Sequence, residues 1–587
     1  MYHDTIGHDF GSIVLLYARM TYISITTFKD NTTRGLPLTR SHIEEIFPKL
    51  TPEQIRRVSS RGQTRAIQDD EILYEQGDNA PFFVVLSGEL EIVRPLGTAA
   101  VETLVAVLDS GQFTGEVGTL LGRRTLFRLR VSKPGKVIEL DRQHMLALVQ
   151  DDAELGQILI RAFILRRVEF VAAGVGDVVL IGSTHSADTL RIKEFLWRNG
   201  HPYSFIDLEH DPEVQNLLDS IHIVTSEIPV VICRGKIVLR NPSTQQITDC
   251  LGFNEAINQI QARDLVIIGA GPSGLAAAVY GASEGLEVLV LEMSSPGGQA
   301  GSSPRIENYL GFPAGISGQE LAGRAYLQAE KFGSEILITR CTRLLCDQKP
   351  YVIEVENGAR IPTRTVVIAT GVAYRRPPQL ENLSRFEGVG VYYAATPMEA
   401  QLCRGEKVIV VGGGNAAGQA AVFMADSAER VHILIRSAGL VEKMSRYLVR
   451  RIEETPKIVV QTHTEIVALR GGNCLESVRL RNNHTGFTEE QKIRHVFLMT
   501  GAVPNTGWLD GCIALDSKGF IKTGIDLSPE NLSAAHWPLL RRPYLLEASL
   551  PGVFAVGDVR GGSIKRVASA VGEGSIAISF VHKVLQE

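Results

Sequence analysis

Two glycine-rich stretches carry the most specific chemistry in the chain. The first reads Leu265-Val266-Ile267-Ile268-Gly269-Ala270-Gly271-Pro272-Ser273-Gly274 and continues into an alanine-rich run from Leu275. An apolar strand thus enters the spacing GxGxxG and leaves as a helix. In that order Gly269 makes a tight turn, Gly271 lets backbone approach a pyrophosphate, and Gly274 permits close helix–strand packing. The helix N-terminus offers unbonded N–H groups and a positive dipole end to phosphate oxygens. The next apolar strand, Val288 to Leu291, ends in Glu292, 18 residues after Gly274. A carboxylate there is suited to accept the hydroxyls of an adenosine ribose.

The second stretch reads Val408-Ile409-Val410-Val411-Gly412-Gly413-Gly414-Asn415-Ala416-Ala417. Gly412, Gly414 and Ala417 give GxGxxA, again between an apolar strand and a helix. Its second strand, Val431 to Ile435, ends in Arg436 instead of an acid. A cation at that place favours a ribose bearing a 2′-phosphate, hence NADPH over NADH. One acid-ended loop and one Arg-ended loop imply two dinucleotides, most economically FAD and NADPH, with hydride passing from nicotinamide to flavin.

Alternating strands and helices from residue 262 onward must position these loops. Two other rhythms precede them. Residues 40–172 read as short strands (Glu71–Tyr74, Phe82–Leu86, Glu89–Val93, Thr103–Leu108, Phe127–Val131 and Lys136–Leu140) with a turn at Ser87-Gly88, then a helix from Ala153 to Ala172. This is a β-roll closed by a helix. Residues 176–255 read β-α-β-α-β-β-α: strand Val178–Ile181, helix Ser186–Arg198, strand Tyr203–Asp207, helix Pro212–Ser220, and a hairpin from Pro229–Cys233 to Lys236–Leu239. That is the order of a thioredoxin fold.

Composition sets limits on the rest. At 587 residues the chain is long enough for about four domains. Glycine numbers 56, above average usage, so backbone approach is used repeatedly. Lys+Arg total 60 against 65 Asp+Glu, a net charge of -5, with no basic excess for nucleic acid. Seven cysteines in so long a chain argue against a disulfide scaffold. Arg19 interrupts the mildly apolar stretch Gly11–Phe28, and no later run would span a membrane. The expectation is a cytoplasmic protein with no nucleic-acid or membrane partner, and residues 1–39 as an extension without assigned function.

From 262 to 587 the chain resembles the low-molecular-weight thioredoxin reductase family. The resemblance rests on Gly297-Gly298-Gln299, Ile306-Glu307-Asn308, Gly318-Gln319-Glu320-Leu321, Ala369-Thr370-Gly371, Gly412-Gly413-Gly414-Asn415, Pro504-Asn505-Thr506 and Gly552-Val553-Phe554-Ala555-Val556-Gly557-Asp558. It implies an FAD domain in two pieces, 262–381 and 509–587, with the NADPH domain 382–508 inserted, and a homodimer. It implies that FAD is bound by Gly269, Gly271, Ser273, Gly274, Glu292, Gly298, Gln299, Asn308, Thr370, Gly371, Asp558 (on the ribityl chain), Arg566, Val567 and Ala568. NADPH falls to Gly412, Gly414, Asn415, Ala417 and Arg436. Residues near 525–545, with Trp537, Arg541 and Arg542, look like an insertion relative to the family.

One departure bears on activity. Where the family carries its CxxC, Ala394 and Pro397 occupy the two cysteine positions of Gly390-Val391-Tyr392-Tyr393-Ala394-Ala395-Thr396-Pro397. Neither side chain can become the thiolate that disulfide exchange requires. Cys403, just downstream, is a candidate thiol set against a packed core residue; Cys341 and Cys346 read as core residues of a strand region. The middle module resembles a glutaredoxin with its dithiol replaced by Ser186-Ala187-Asp188-Thr189 and its cis-proline matched by Ile228-Pro229. A docking or spacer role follows, with Cys233 not expected to be nucleophilic.

The β-roll resembles a cyclic-nucleotide-binding domain through Phe113-Thr114-Gly115-Glu116-Val117-Gly118 and Gly122-Arg123-Arg124-Thr125. The resemblance implies a site for cAMP or cGMP at Gly115, Glu116, Arg124 and Thr125. Glu116 would take the ribose 2′-hydroxyl and Arg124 the cyclic phosphate. Thr114 displaces the first glycine, and Arg123 stands where a proline is usual.

The expected architecture is multidomain α/β: two Rossmann-like dinucleotide-binding domains preceded by the β-roll and the thioredoxin-fold domain. The expected activity is NADPH-dependent FAD oxidoreduction. The acceptor is oxygen, a quinone, a ferredoxin-type carrier or an external disulfide, and a cyclic nucleotide modulates turnover. Two alternatives stand beside it: a thioredoxin-disulfide reductase using another thiol, and a non-catalytic flavin-based redox and cyclic-nucleotide sensor. No metal site is expected.

Overall fold

The computed structural model describes residues 46–587, apart from 96–101, 121, 173–175, 184–185, 209–226, 235–236, 255–260, 378, 441–443, 473 and 510. The extension 1–39 and the expected helix Pro212–Ser220 lie outside the described residues. The chain divides into two compact units, one taking Arg191–Ile257 with most of what precedes it, the other Asn258–Ala329 and Gly333–Glu587.

In the first unit, strand Arg128–Leu140 pairs antiparallel with Gln63–Ile67, Ile72–Tyr74 and Phe82–Pro95. Phe82–Pro95 pairs in turn with Glu102–Leu108, and helix Ala153–Ala172 follows. The Ser87-Gly88 turn expected from sequence is not a turn. Phe82–Pro95 is one strand of 14 residues whose register shifts on both sides of Ser87. The reason is steric. Gly88 sits at φ +88, where a Cβ would lie 2.5 Å from the Lys133 carbonyl oxygen. Opposite it, a Cβ on Gly135 would lie 1.9 Å from the Ser87 oxygen. Two glycines thus let the strands pass at a bulge. The expected break between Val131 and Lys136 disappears the same way, into the continuous strand Arg128–Leu140.

The same unit holds a four-stranded sheet. Val178–Gly182 runs parallel to Tyr203–Asp207 and antiparallel to Val230–Cys233, which pairs with Ile237–Arg240. Helices Ala187–Arg198 and Thr244–Leu251 accompany it. Ser243 and Gln246 form a capping box at the start of Thr244–Leu251, satisfying two backbone donors there. The Ile228–Pro229 peptide is cis.

The second unit contains a sheet behind each glycine loop, the first mixed, with Tyr351–Val355 antiparallel to Arg360–Ile368, and the second parallel. Arg263–Ile268 lies between Val288–Glu292 and Arg360–Ile368, both parallel to it. Val553–Ala555, from the end of the chain, joins the outer side of Arg360–Ile368 in parallel. The other sheet has Lys407–Val411 between Arg430–Leu434 and His495–Leu498. Each central strand is buried on both faces, as its unbroken apolar run requires. The short pair Val372–Tyr374 and Ala502–Pro504 forms a separate antiparallel ribbon.

Candidate functional site

The first glycine loop is built by close approach. Gly269 has φ +104, and a Cβ there would lie 2.4 Å from the Ala369 oxygen; one on Gly274 would lie 1.8 Å from the Gly269 oxygen. Gly271 differs. It caps helix Pro272–Ser283 with no side-chain bond, and a Cβ on it would meet nothing nearer than Gly298 Cα at 4.0 Å. The space before that helix N-terminus is open, as a pyrophosphate cradle requires.

Tertiary contacts gather further residues here. The Gly297 N–H donates to the Ala270 oxygen at 2.7 Å, bringing Gly298 and Gln299 against the loop; Gln299 Nε2 donates to the Val372 oxygen. Thr370 Oγ1 donates to the Asn505 oxygen at 2.9 Å and Asn505 Nδ2 to the Thr370 oxygen at 2.8 Å. Gly371, at φ +60, has open space where a Cβ would be. Ser273 is buried, and a Cβ on Gly557 would lie 2.6 Å from its Oγ. That contact seats Asp558 beside the same helix start. Burial raises the Asp558 carboxyl above the usual range, with Lys565 opposing and Glu573 assisting. Arg566 and Ala568 are exposed at the start of the 20-residue helix Val567–Gln586, and Arg566 caps it without a side-chain bond. Asn308 is exposed, and no described contact ties it to this cluster.

Glu292 is 7% exposed. Its carboxylate accepts from the Ala270 N–H at 2.8 Å and from the Ser294 and Ser295 N–H groups at 2.9 and 3.2 Å. The acid expected to hold a ribose therefore also locks the glycine loop to the strand end.

The second loop repeats the design more openly. Gly412 lies at φ +144, and a Cβ there would be 2.5 Å from the Met499 oxygen. Gly414 caps helix Asn415–Met424 without a side-chain bond and has open space around it. Asn415 Oδ1 accepts from the Ser445 N–H at 2.8 Å, and Ala417 is packed in the core. Arg436 is exposed just beyond strand Arg430–Leu434.

The stretch 394–397 contains no cysteine. Thr396 N–H donates to Glu399 at 2.9 Å and helix Pro397–Leu402 begins there. Cys403 is fully buried in the core around Val408 and Val410; burial pushes its thiol well above the ordinary range, with Glu399 and Glu406 adding to the rise. It is a packed residue, without the exposed, electropositive setting of a reactive thiol. Burial also pushes the Cys341 thiol up to about 12. The reading of Cys346 as a core residue is corrected: it is disulfide-bonded to Cys512, 166 residues away, with Cα atoms 6.0 Å apart. Sequence separation hid this pair, since no short spacing links them.

The β-roll encloses a cavity of about 530 Å³ lined by Tyr74, Gly115, Glu116, Arg123, Thr125, Arg142 and Arg166, among others. Gly115, Glu116 and Thr125 line it as expected. Arg124, expected to meet the phosphate, is not in the lining. Arg123 is there, but its Nη1 donates to the Asn199 oxygen at 3.3 Å and its guanidinium lies 4.1 Å over the Phe253 ring. Glu116 accepts from Arg167 at 3.1 Å. Sequence reasoning missed Arg166, which is 1% exposed. It donates to the Ile46, Thr114 and Gly115 oxygens at 2.9, 3.0 and 2.6 Å and lies over the Phe47 and Phe113 rings. Burial lowers its pKa to about 9, and its Nη2 has no hydrogen-bond partner. The available signal was the adjacent pair Arg166-Arg167 following the apolar run Phe163-Ile164-Leu165 in helix Ala153–Ala172. A buried guanidinium with an unused donor on a cavity wall fits an anionic ligand.

Residues 263–574 match the family model of pyridine nucleotide-disulphide oxidoreductases, and residues 64–152 match that of the cyclic nucleotide-binding domain. Thioredoxin reductase of Treponema pallidum (strain Nichols) is 33% identical over 314 residues, 54% of this chain and 94% of the relative. That of Ureaplasma parvum serovar 3 is 31% identical over 325 residues, 55% and 96% respectively. The crystal structure of T. acidophilum thioredoxin reductase is 27% identical with a TM-score of 0.49, covering 56% of this chain and 99% of that one. Fold and sites define a flavin-dependent NAD(P)H oxidoreductase. The chain belongs to the pyridine nucleotide-disulphide oxidoreductase family and carries a cyclic nucleotide-binding domain ahead of it. Among the described residues no helix is long and apolar enough to cross a membrane, and no cluster is suited to a metal ion.

Proposed function

We propose that this chain is an NADPH-dependent FAD oxidoreductase of thioredoxin-reductase type that does not deliver electrons through paired thiols at 394–397. The observation that carries the reading is the pairing of two intact dinucleotide cradles with a cysteine-free stretch at that place. The relatives named above are thioredoxin reductases, yet Ala394 and Pro397 supply no thiolate.

FAD, when bound, supplies a two-electron acceptor for hydride from the nicotinamide. The chain's own residues bind and orient. Gly269, Gly271 and Gly274 admit the pyrophosphate to the start of helix Pro272–Ser283. Glu292 keeps that loop in place. Asp558 and the uncapped start of helix Val567–Gln586 present a carboxyl and a positive dipole end to the same region. Arg436 favours NADPH over NADH through its exposed guanidinium. The acceptor is a small molecule or redox protein that meets the flavin directly: oxygen, a quinone, a ferredoxin-type carrier or a disulfide. The β-roll cavity takes cAMP or cGMP as an effector, its phosphate drawn to Arg166.

Anaerobic mixing of the FAD-loaded protein with NADPH tests this, followed by an acceptor screen with and without cyclic nucleotide. Fast bleaching of flavin absorbance and steady turnover on one acceptor class are expected. Slow, stoichiometric bleaching without turnover would instead support the flavin-based sensor. Calorimetry with no heat at millimolar cAMP or cGMP would remove the effector role.

A further inference from the structure

The thioredoxin-fold module lacks a dithiol at Ser186–Thr189 but holds two cysteines elsewhere. Cys233 ends strand Val230–Cys233, facing Val178 across the sheet. Cys250 lies in helix Thr244–Leu251. They are 17 residues apart in sequence, yet their side chains lie against each other. Both are free. Arg234 braces the arrangement: Nε donates to Asp177 at 3.1 Å and Nη2 to the Leu251 oxygen at 3.2 Å, tying the residue after Cys233 to the residue after Cys250.

We propose that Cys233 and Cys250 form a dithiol that exchanges with disulfide substrates, Cys250 attacking and Cys233 resolving. Cys250 is half-buried and reaches solvent; Cys233 is fully buried. The sulfur–sulfur contact favours the thiolate on Cys250, helped by the Arg234 and Arg124 guanidiniums. Contact with Cys250 and burial push the Cys233 thiol up. The difference in exposure, Cys250 reachable and Cys233 enclosed, matches an attacking and a resolving thiol. The Cys250 thiolate attacks one sulfur of a substrate R–S–S–R′, forming a mixed disulfide and releasing R′–SH after protonation. The Cys233 thiol then gives up its proton and attacks the Cys250 sulfur, forming the Cys233–Cys250 disulfide and releasing R–SH. Two thiols are oxidised and one disulfide becomes two thiols, so electrons and protons balance. The inference does not rest on the flavin reading.

The test uses the full-length protein, reduced, desalted and exposed anaerobically to oxidised glutathione, then acid-quenched, alkylated and peptide-mapped. In the wild type a cross-linked peptide joining Cys233 to Cys250 is expected. Cys233→Ala should accumulate glutathione on Cys250, and Cys250→Ser should leave Cys233 as a free thiol. Absence of the wild-type cross-link overturns the proposal without recourse to any variant. So does Cys250 left unmodified in a Cys233→Ala protein that melts like the wild type, or glutathione found on Cys233 in Cys250→Ser.

Discussion

Thr370 and Asn505 bind each other twice: the Thr370 hydroxyl donates to the Asn505 carbonyl at 2.9 Å, and the Asn505 amide donates to the Thr370 carbonyl at 2.8 Å. The residues stand 135 apart, where the chain leaves strand Arg360–Ile368 and where it returns after Ala502–Pro504. Each bond contributes about 1 kcal/mol. Thr370→Val and Asn505→Ala should each lower stability by about 1–2 kcal/mol, and the double variant by less than the sum. Denaturant titration of all four proteins reads the coupling; strict additivity would show that the two bonds act independently.

Two glycines of one loop should fail differently. An added methyl at Gly274 meets the Gly269 oxygen at 1.8 Å, so Gly274→Ala should damage the fold itself. At Gly271 the methyl meets only open space, so Gly271→Ala should fold and lose flavin. Circular dichroism against flavin absorbance separates the two outcomes. A yellow Gly271→Ala protein would mean that the cofactor does not approach this backbone.

Arg436 should act on cofactor choice alone. Removing a charge-assisted contact to a phosphate costs about 1.5–3 kcal/mol, so Arg436→Ala should raise KM for NADPH about tenfold or more and leave NADH unaffected. Steady-state kinetics with both nucleotides decides it. Equal losses for the two would place the 2′-phosphate elsewhere.

Asp558 should oppose stability to function. Its carboxyl is raised by burial, so the folded state holds its proton more tightly than the unfolded chain. Between the unfolded pKa near 3.9 and the raised folded value, stability therefore falls as pH rises, and the penalty persists above that window. Asp558→Asn should raise the melting temperature of the apoprotein at neutral pH while weakening FAD binding. Thermal melts across pH, with and without FAD, give both signs.

Arg541 should be a stability residue. Its guanidinium donates to Glu547, which is 0% exposed, and to Glu587. Arg541→Ala leaves the Glu547 carboxylate buried with only the Tyr544 and Gly552 N–H groups as described donors. The expected loss is about 3 kcal/mol. Glu587→Ala, on the exposed side, should cost under about 1 kcal/mol. Urea titrations that return similar small losses would show that Glu547 is adequately held by backbone alone.

Local patterns made much of the fold legible. Helix Ala153–Ala172 and strands Val178–Gly182 and Val288–Glu292 stand within a residue of their apolar runs, because periodicity and burial are local consequences of residue type. The bulge at Gly88 was not legible as such. The same residue serves a turn or a bulge, and only the neighbouring strand, with Gly135 beneath it, chooses between them.

The sequence by itself determined the two glycine-rich strand-to-helix loops, the Glu292 and Arg436 strand ends, and the absence of cysteine at 394–397. Each depends on contiguous residues whose spacing dictates backbone geometry. Tertiary structure alone decided which side chains meet across the chain. It buried Cys403 and joined Cys346 to Cys512. It turned Arg123 toward Phe253, left Arg166 on the cavity wall, and placed Cys233 against Cys250. Sulfur pairing and guanidinium placement follow from packing between distant segments, which no local spacing encodes.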